Sequence, residues 1–221
     1  KLSDVEGIEW IRLHYAYPSG FPMEALDVMR ERKNICNYID IPLQHISNNM
    51  LKSMRRGITK EKTMEVVEKI RERVPGIAIR TTLICGYPGE TKQDHEEMVE
   101  WIKKSKFERL GVFTYSHEEN TPAYSLKDNV PPKEKQRRAD AVMKVQQKIS
   151  AELNKKMIGK TFNVLFDKKE GNYFIGRTEF DSPDVDNTIL VDAKKKYVRI
   201  GDFANVKITS AKEYDLIGEV I

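Results

Sequence analysis

At 221 residues, 39% of them hydrophobic and 33% charged, the chain is long enough for one domain of ordinary size plus a small one, each with its own core. A formal net charge of +4 marks neither a polyanion-coated nor an acidic protein, and no apolar run approaches the roughly 18 residues that span a bilayer. The opening lacks the basic, apolar and small-residue pattern of a secretory leader, so the cytoplasm is the expected location and no membrane partner is expected.

The chain begins KLSDVEGIEWIRLHYAYP, without an initiator Met and running straight into a strand pattern; it reads as the middle and end of a longer protein. Short β-rich runs bounded by turn residues predict strands at 9–17, 37–43, 77–85 and 110–116. Helical patterns separate them. GFPMEALDVMRERKN accepts Pro22 near its start, and SNNMLKSMRRG has Ser47 as cap and Gly57 as stop. TKEKTMEVVEKIRERVPG places Met64, Val67, Ile70 and Val74 on one face. TKQDHEEMVEWIKK opens with Thr91 and Asp94 at capping-box spacing and aligns His95, Met98, Val99 and Ile102. Such alternation implies βα units around a parallel sheet; a βα barrel, whole or partial, and an open doubly wound sheet both fit it.

Strand parity sorts the residues further. Ile11, Leu13 and Tyr15 share one face, as do Ile39, Ile41 and Leu43, and Ile79, Thr81 and Leu83. The opposite faces carry Arg12, His14, Asp40, Gln44, Arg80 and Thr82. So many polar groups cannot line a sealed hydrocarbon lumen, because each would cost a few kcal/mol if unpaired. Either a solvent-accessible cavity with a polar ligand or an ion-pair cluster of Arg12, Asp40 and Arg80 accounts for them.

From 131 to 156 a long helix with a Val142, Val145, Ile149 and Leu153 stripe connects to a different texture. KTFNVLFDK, NYFIGRTEF, TILVD, DFANVKITSA and EYDLIGEVI read as five short strands of a small antiparallel OB-like barrel, placing domains at 1–155 and 156–221. From Ile158 onward ten Lys and Arg stand against eleven Asp and Glu, and the longest loop, DSPDVDN, is acidic.

In parallel α/β architectures the ligand lies at the C-terminal ends of the strands. The loops there are YPSGF, PLQHIS, GYPGET and YSHEENTPAY, a polar rim suited to a nucleotide-like ligand. GYPGE is not a dinucleotide fingerprint and no P-loop occurs. His14, His45 and His117 lack metal-ligand spacing, so no metal site is expected. Glu118 and Glu119, adjacent in a loop, read as solvated acids. Cys36 and Cys85, the only cysteines, allow neither a disulfide framework nor a multi-cysteine metal site; each reads as a small buried apolar residue.

The stretches IDIPLQHISNNMLKSMRRGIT, IRTTLICGYPGET, LGVFTYSHEENTPAY and GRTEFDSPDVDN resemble the methylthiotransferase branch of the radical S-adenosylmethionine (SAM) enzymes, over essentially the whole chain. YAYPSGF and FDSPDVDN are most similar to the members that modify an aspartate of small-subunit ribosomal protein twelve. The resemblance implies an α/β fold with a partial parallel βα (TIM-like) barrel, followed by a TRAM domain that holds the substrate. It also implies two 4Fe-4S clusters. One reduces SAM to a deoxyadenosyl radical that abstracts hydrogen; the other takes part in sulfur delivery, a second SAM supplying the methyl group. By motif position, Gln44 and Ser47 are expected to contact SAM, Arg80 and Thr82 to face its pocket, Gly86 to lie beneath the adenine and Thr114 or Tyr115 to flank it.

The family's cluster cysteines have no counterpart here, so the chain alone is expected to be catalytically silent. A monomer served by an external electron donor is expected. Two other functions compete: a transfer RNA adenosine methylthiotransferase, and a non-catalytic SAM-binding or ribosome-docking module. A near-neutral second barrel with an acidic loop argues for a basic protein partner over nucleic acid.

Overall fold

The computed structural model describes residues 1–221. Four parallel strands, β1 (Ile11–Leu13), β2 (Ile35–Asp40), β3 (Ala78–Cys85) and β4 (Arg109–Thr114), stand side by side in chain order. Between or after them run α1 (Glu24–Glu31), α2 (Asn48–Ser53), α3 (Lys60–Arg73), α4 (Lys92–Ser105) and α5 (Pro132–Lys155). One core of 21 buried residues joins Ile39, Ile79 and Leu83 of the strands to Leu26, Ile70, Met98 and Val142 of α1, α3, α4 and α5. With strand order following sequence order and these helices on one face, the sheet is an arc of a βα barrel; a doubly wound sheet would carry helices on both faces.

The arc's local signals are mostly those of its sequence. Thr91 and Asp94 form the full capping box of α4. Ser47 caps α2, accepting the Met50 N–H. Thr81, a polar residue on the core face, is fully buried because its hydroxyl donates to the Ile41 carbonyl. Two expectations fail. The first helix after β2 ends at Ser53, before Gly57, because Arg55 takes the left-handed position (φ 54°) and the Arg56 N–H closes on the Leu51 carbonyl. β1 spans three residues, and Tyr15 leaves the face of Ile11 and Leu13. Its φ is 56°, the Asp40 carboxylate accepts its N–H at 3.4 Å, and its side chain is exposed.

The second domain is a closed barrel of β5 (Thr161–Glu170), β6 (Tyr173–Arg177), β7 (Thr188–Asp192), β8 (Phe203–Ala211) and β9 (Asp215–Val220), ordered β5-β6-β7-β9-β8. It is mixed rather than wholly antiparallel: β7 and β9 pair in parallel, since the chain must cross between them through β8 to close the barrel. Val164, Phe166, Val191, Val206 and Ile208 fill its interior.

The domains are stitched together by polar groups. Asn154 at the end of α5 donates to the Lys212 and Glu213 carbonyls. The 178–187 loop, between β6 and β7, lies against the arc: Asp181 pairs with Arg109 (2.9 Å), Asp186 with Arg80 (3.2 Å), and Arg12 donates to the Thr178 and Glu179 carbonyls. Trp10 and Phe180 pack beside Cys36, Tyr38 and Ala78 at this junction.

Candidate cofactor cleft at the strand ends

The polar parity face of the arc opens on a cleft of about 920 Å³. Tyr17, Gln44 and Arg56 line it at the strand ends, Asp40, Arg80 and Thr82 along the strands, and Ser182, Pro183 and Val185 of the second barrel close one side. The lumen is therefore neither sealed nor a simple ion-pair cluster. Arg80 does pair with Asp40 (3.6 Å), but Arg12 turns to the second barrel, and the decisive acid, Asp186, comes from the DSPDVDN loop.

That loop corrects an expectation. Its acidity does not advertise a surface for a basic partner, because two of its three acids are spent on Arg109 and Arg80. Asp186 also accepts the Tyr38 hydroxyl and the Ser182 N–H, both at 2.8 Å. Burial and the neighbouring Asp186 charge push the Tyr38 phenol up, which keeps it a donor.

Two non-glycine residues of the cleft hold left-handed backbones, Tyr15 and Gln44 (φ 70°). Gln44 is locked by β3 on both sides: its N–H donates to the Thr82 carbonyl and its carbonyl accepts from Ile84. Such conformations cost ~1–3 kcal/mol and persist where the surroundings enforce them, commonly at ligand sites.

The structure brings together Gln44, Arg80 and Thr82 of the residues expected to meet SAM. The others lie apart from the cleft lining. Ser47 is buried, and its hydroxyl donates to Asp94 while accepting from Met50. Gly86 (φ 79°) is buried under Lys135, whose Cγ would lie 2.2 Å from an added Cβ, so the missing side chain makes room for a lysine stem. Thr114 ends β4 at an exposed position. Tyr115 packs edge-on to Tyr87, with the Lys135 ammonium 4.8 Å from its ring centre. Tyr87 borders a smaller hollow that shares Gln44 and Arg56 with the cleft.

Arg56 was not legible as a site residue, since it sits in a helix-ending SMRRG run. Its Nε is buried without a partner, while its Nη2 donates to the Pro42 carbonyl at 2.7 Å and its guanidinium covers Tyr17. An unpaired cation beside the strained Gln44 suits the carboxylate of an amino-acid-bearing nucleoside such as SAM, so the cleft's residues fit that cofactor.

Beneath GYPGE lies a second polar cluster. The Glu90 carboxylate accepts from the Gly86 N–H and from His45 Nε2 (3.4 Å), and pairs with Arg138 (3.0 Å). The Ser47 N–H donates to His45 Nδ1, so the proton of the neutral ring sits on Nε2, facing Glu90. Burial pushes the Glu90 carboxyl up, and the bonds from His45 and Gly86 outweigh it to hold the group below its ordinary range. Cys85, Glu90 and His95 place ligand atoms within 4.8 Å of one another, but Arg138 already brings a cation to Glu90. The histidines named from the sequence do not converge: His14 lies 3.8 Å from Asp40, His45 is buried under Glu90, and His117 stacks on Tyr124 at the surface.

Neither cysteine fits an iron–sulfur cluster. Cys36 is the second residue of β2 and Cys85 ends β3, both are buried, and burial pushes the Cys36 thiol up to about 11 and the Cys85 thiol higher still.

Residues 1–102 match the radical SAM superfamily and residues 158–221 the TRAM domain. A radical SAM portion is thus followed in this chain by a TRAM domain. Among solved structures, the radical SAM enzyme coproporphyrinogen III oxidase (HemN) from Escherichia coli shares the fold with a TM-score of 0.52 at 15% identity, over 76% of this chain and 44% of that one. More specifically, the chain is 62% identical over its full length to the ribosomal protein uS12 methylthiotransferase RimO of Cytophaga hutchinsonii, and 61% identical over 99% of its length to that of Christiangramia forsetii. It covers 50% and 48% of those proteins, so it spans about half the length of the curated relatives it matches. No helix is long and apolar enough to cross a membrane.

Proposed function

We propose that this chain is the cofactor- and substrate-holding half of a radical SAM methylthiotransferase that acts on an aspartate β-carbon of ribosomal protein uS12. The observation that carries the reading is the identity of 62% and 61% to proteins named as uS12 methylthiotransferases, over 100% and 99% of this chain. In this reading SAM lies at the strand ends, with Gln44, Thr82 and Arg56 against it and Arg80 behind them, where it would supply the radical and methyl groups of the reaction.

Arg80 acts through position rather than charge: Asp186 and Asp40 neutralise it and hold it along the wall beside Thr82. Ser47 and Gly86 support the neighbouring loops from beneath, through Asp94 and Glu90. Tyr115 borders the Gln44 side by way of Tyr87. Residues 1–155 form the barrel portion with its connector helix and 156–221 the TRAM domain. Two 4Fe-4S clusters are bound by cysteines outside this chain, and the protein works as a cytoplasmic monomer with an external electron donor.

Incubating a full-length protein that contains this chain with SAM, a reductant and uS12 tests the reading. Mass spectrometry is expected to find one methylthio group on an aspartate of uS12. Modification of transfer RNA in place of uS12 would overturn it.

A further inference from the structure

Three of the most exposed large apolar side chains line the cleft: Tyr15 (83% exposed), Phe113 (65%) and Val185 (58%). Scattered apolar residues on a surface need no explanation, but a collar of them around one opening marks a binding surface. Tyr15 stands out because its backbone is forced. A tyrosine at φ 56° is sterically disfavoured, and the buried Asp40 carboxylate, 6% exposed, holds it there by accepting the Tyr15 N–H, while the Asp40 carbonyl accepts from Ala16. Nothing in the core gains from this turn, since the ring it delivers is left in solvent.

The charges of the cleft say which macromolecule this collar meets. Arg80 is neutralised by Asp40 and Asp186, which leaves Arg56 as the arginine of the lining without a carboxylate partner in the structure. A nucleic acid needs several cations along its backbone. An apolar collar with one spare guanidinium, itself suited to the cofactor, instead fits a peptide segment.

We infer that Tyr15, set by Asp40, is a specificity-determining residue that grips the protein substrate beside the residue to be modified, with Phe113 and Val185 completing the contact. The inference rests on the function proposed above, and it assigns Asp40 a positioning role. A single exposed aromatic that becomes buried on binding commonly acts as a hot spot, and losing it weakens affinity about tenfold or more.

The test uses a full-length protein containing this chain and a fluorescent synthetic peptide spanning the target aspartate of uS12, with peptide affinity read by anisotropy and SAM affinity by calorimetry. Tyr15→Ala is expected to weaken peptide binding about tenfold, with SAM affinity unchanged, and Tyr15→Phe to restore it. The side chain packs on little, so neither change threatens the fold. Peptide binding by Tyr15→Ala equal to wild type overturns the inference, as does an equal loss of SAM affinity, which would make the ring a cofactor platform. Failure of the wild-type protein to bind the peptide would overturn the function proposed above as well, and so separates the two.

Discussion

The loop that joins the second barrel to the cleft can be cut at one residue. Asp186 accepts three donors, the Arg80 Nε (3.2 Å), the Tyr38 hydroxyl (2.8 Å) and the Ser182 N–H (2.8 Å), and its side chain is 2% exposed. Asp186→Ala strands all three and leaves Arg80 with Asp40 at 3.6 Å. Breaking a buried ion pair from one side costs ~3–5 kcal/mol. Arg80 keeps 18% exposure toward the cleft and can rehydrate, which reduces the expected loss to about 2–4 kcal/mol. For a chain of this length that lowers the melting temperature by roughly 5–15 °C. Differential scanning calorimetry measures it, and the 178–187 loop should become a site of proteolytic nicking. A shift below about 2 °C, with the loop still protected, would refute the idea that this acid locks the domains.

Gly86→Ala should cost about 2–4 kcal/mol in urea unfolding, from a left-handed alanine and its clash with the Lys135 stem. In a Lys135→Ala background the cost should shrink, and an unchanged cost would contradict the packing argument. Burial holds the His95 imidazole below its ordinary 6.5, so the unfolded chain takes up the proton first as pH falls. Stability present above 6.5 is then lost below it, toward the folded pKa, and His95→Gln should flatten that decline in urea midpoints; an identical decline would contradict it. Cys36 and Cys85 should resist a thiol-exchange reagent at about pH 8 in the native chain and react once it is unfolded. Rapid native reaction would contradict their burial.

Local physics made much of the fold legible. Thr91 and Asp94 declare the start of α4 by spacing alone, and strand parity separated the core face of β2 and β3 from the lumen face. Gln44, Arg80 and Thr82 follow from that parity. What failed depends on contacts far apart in sequence. The packing need for a glycine at 86 was not legible, because nothing near it in the chain announces Lys135, 49 residues on, as the group it accommodates. Tyr15 left its predicted face because a carboxylate 25 residues away captures its N–H. The DSPDVDN loop read as an acidic surface because its partners, Arg80 and Arg109, belong to the other domain. Arg56 carried no local signal at all, since its role comes from the strand ends it is folded against.

The cleft at the strand ends, walled by the second barrel, is where we propose that SAM is held. Calorimetric titration of SAM into a full-length protein containing this chain tests it most directly, comparing wild type with Gln44→Ala and Arg56→Ala. Loss of a charge-assisted bond at Arg56 predicts about a tenfold weaker affinity, with a smaller loss at Gln44. Unchanged affinity in both variants would place the cofactor elsewhere and contradict the account.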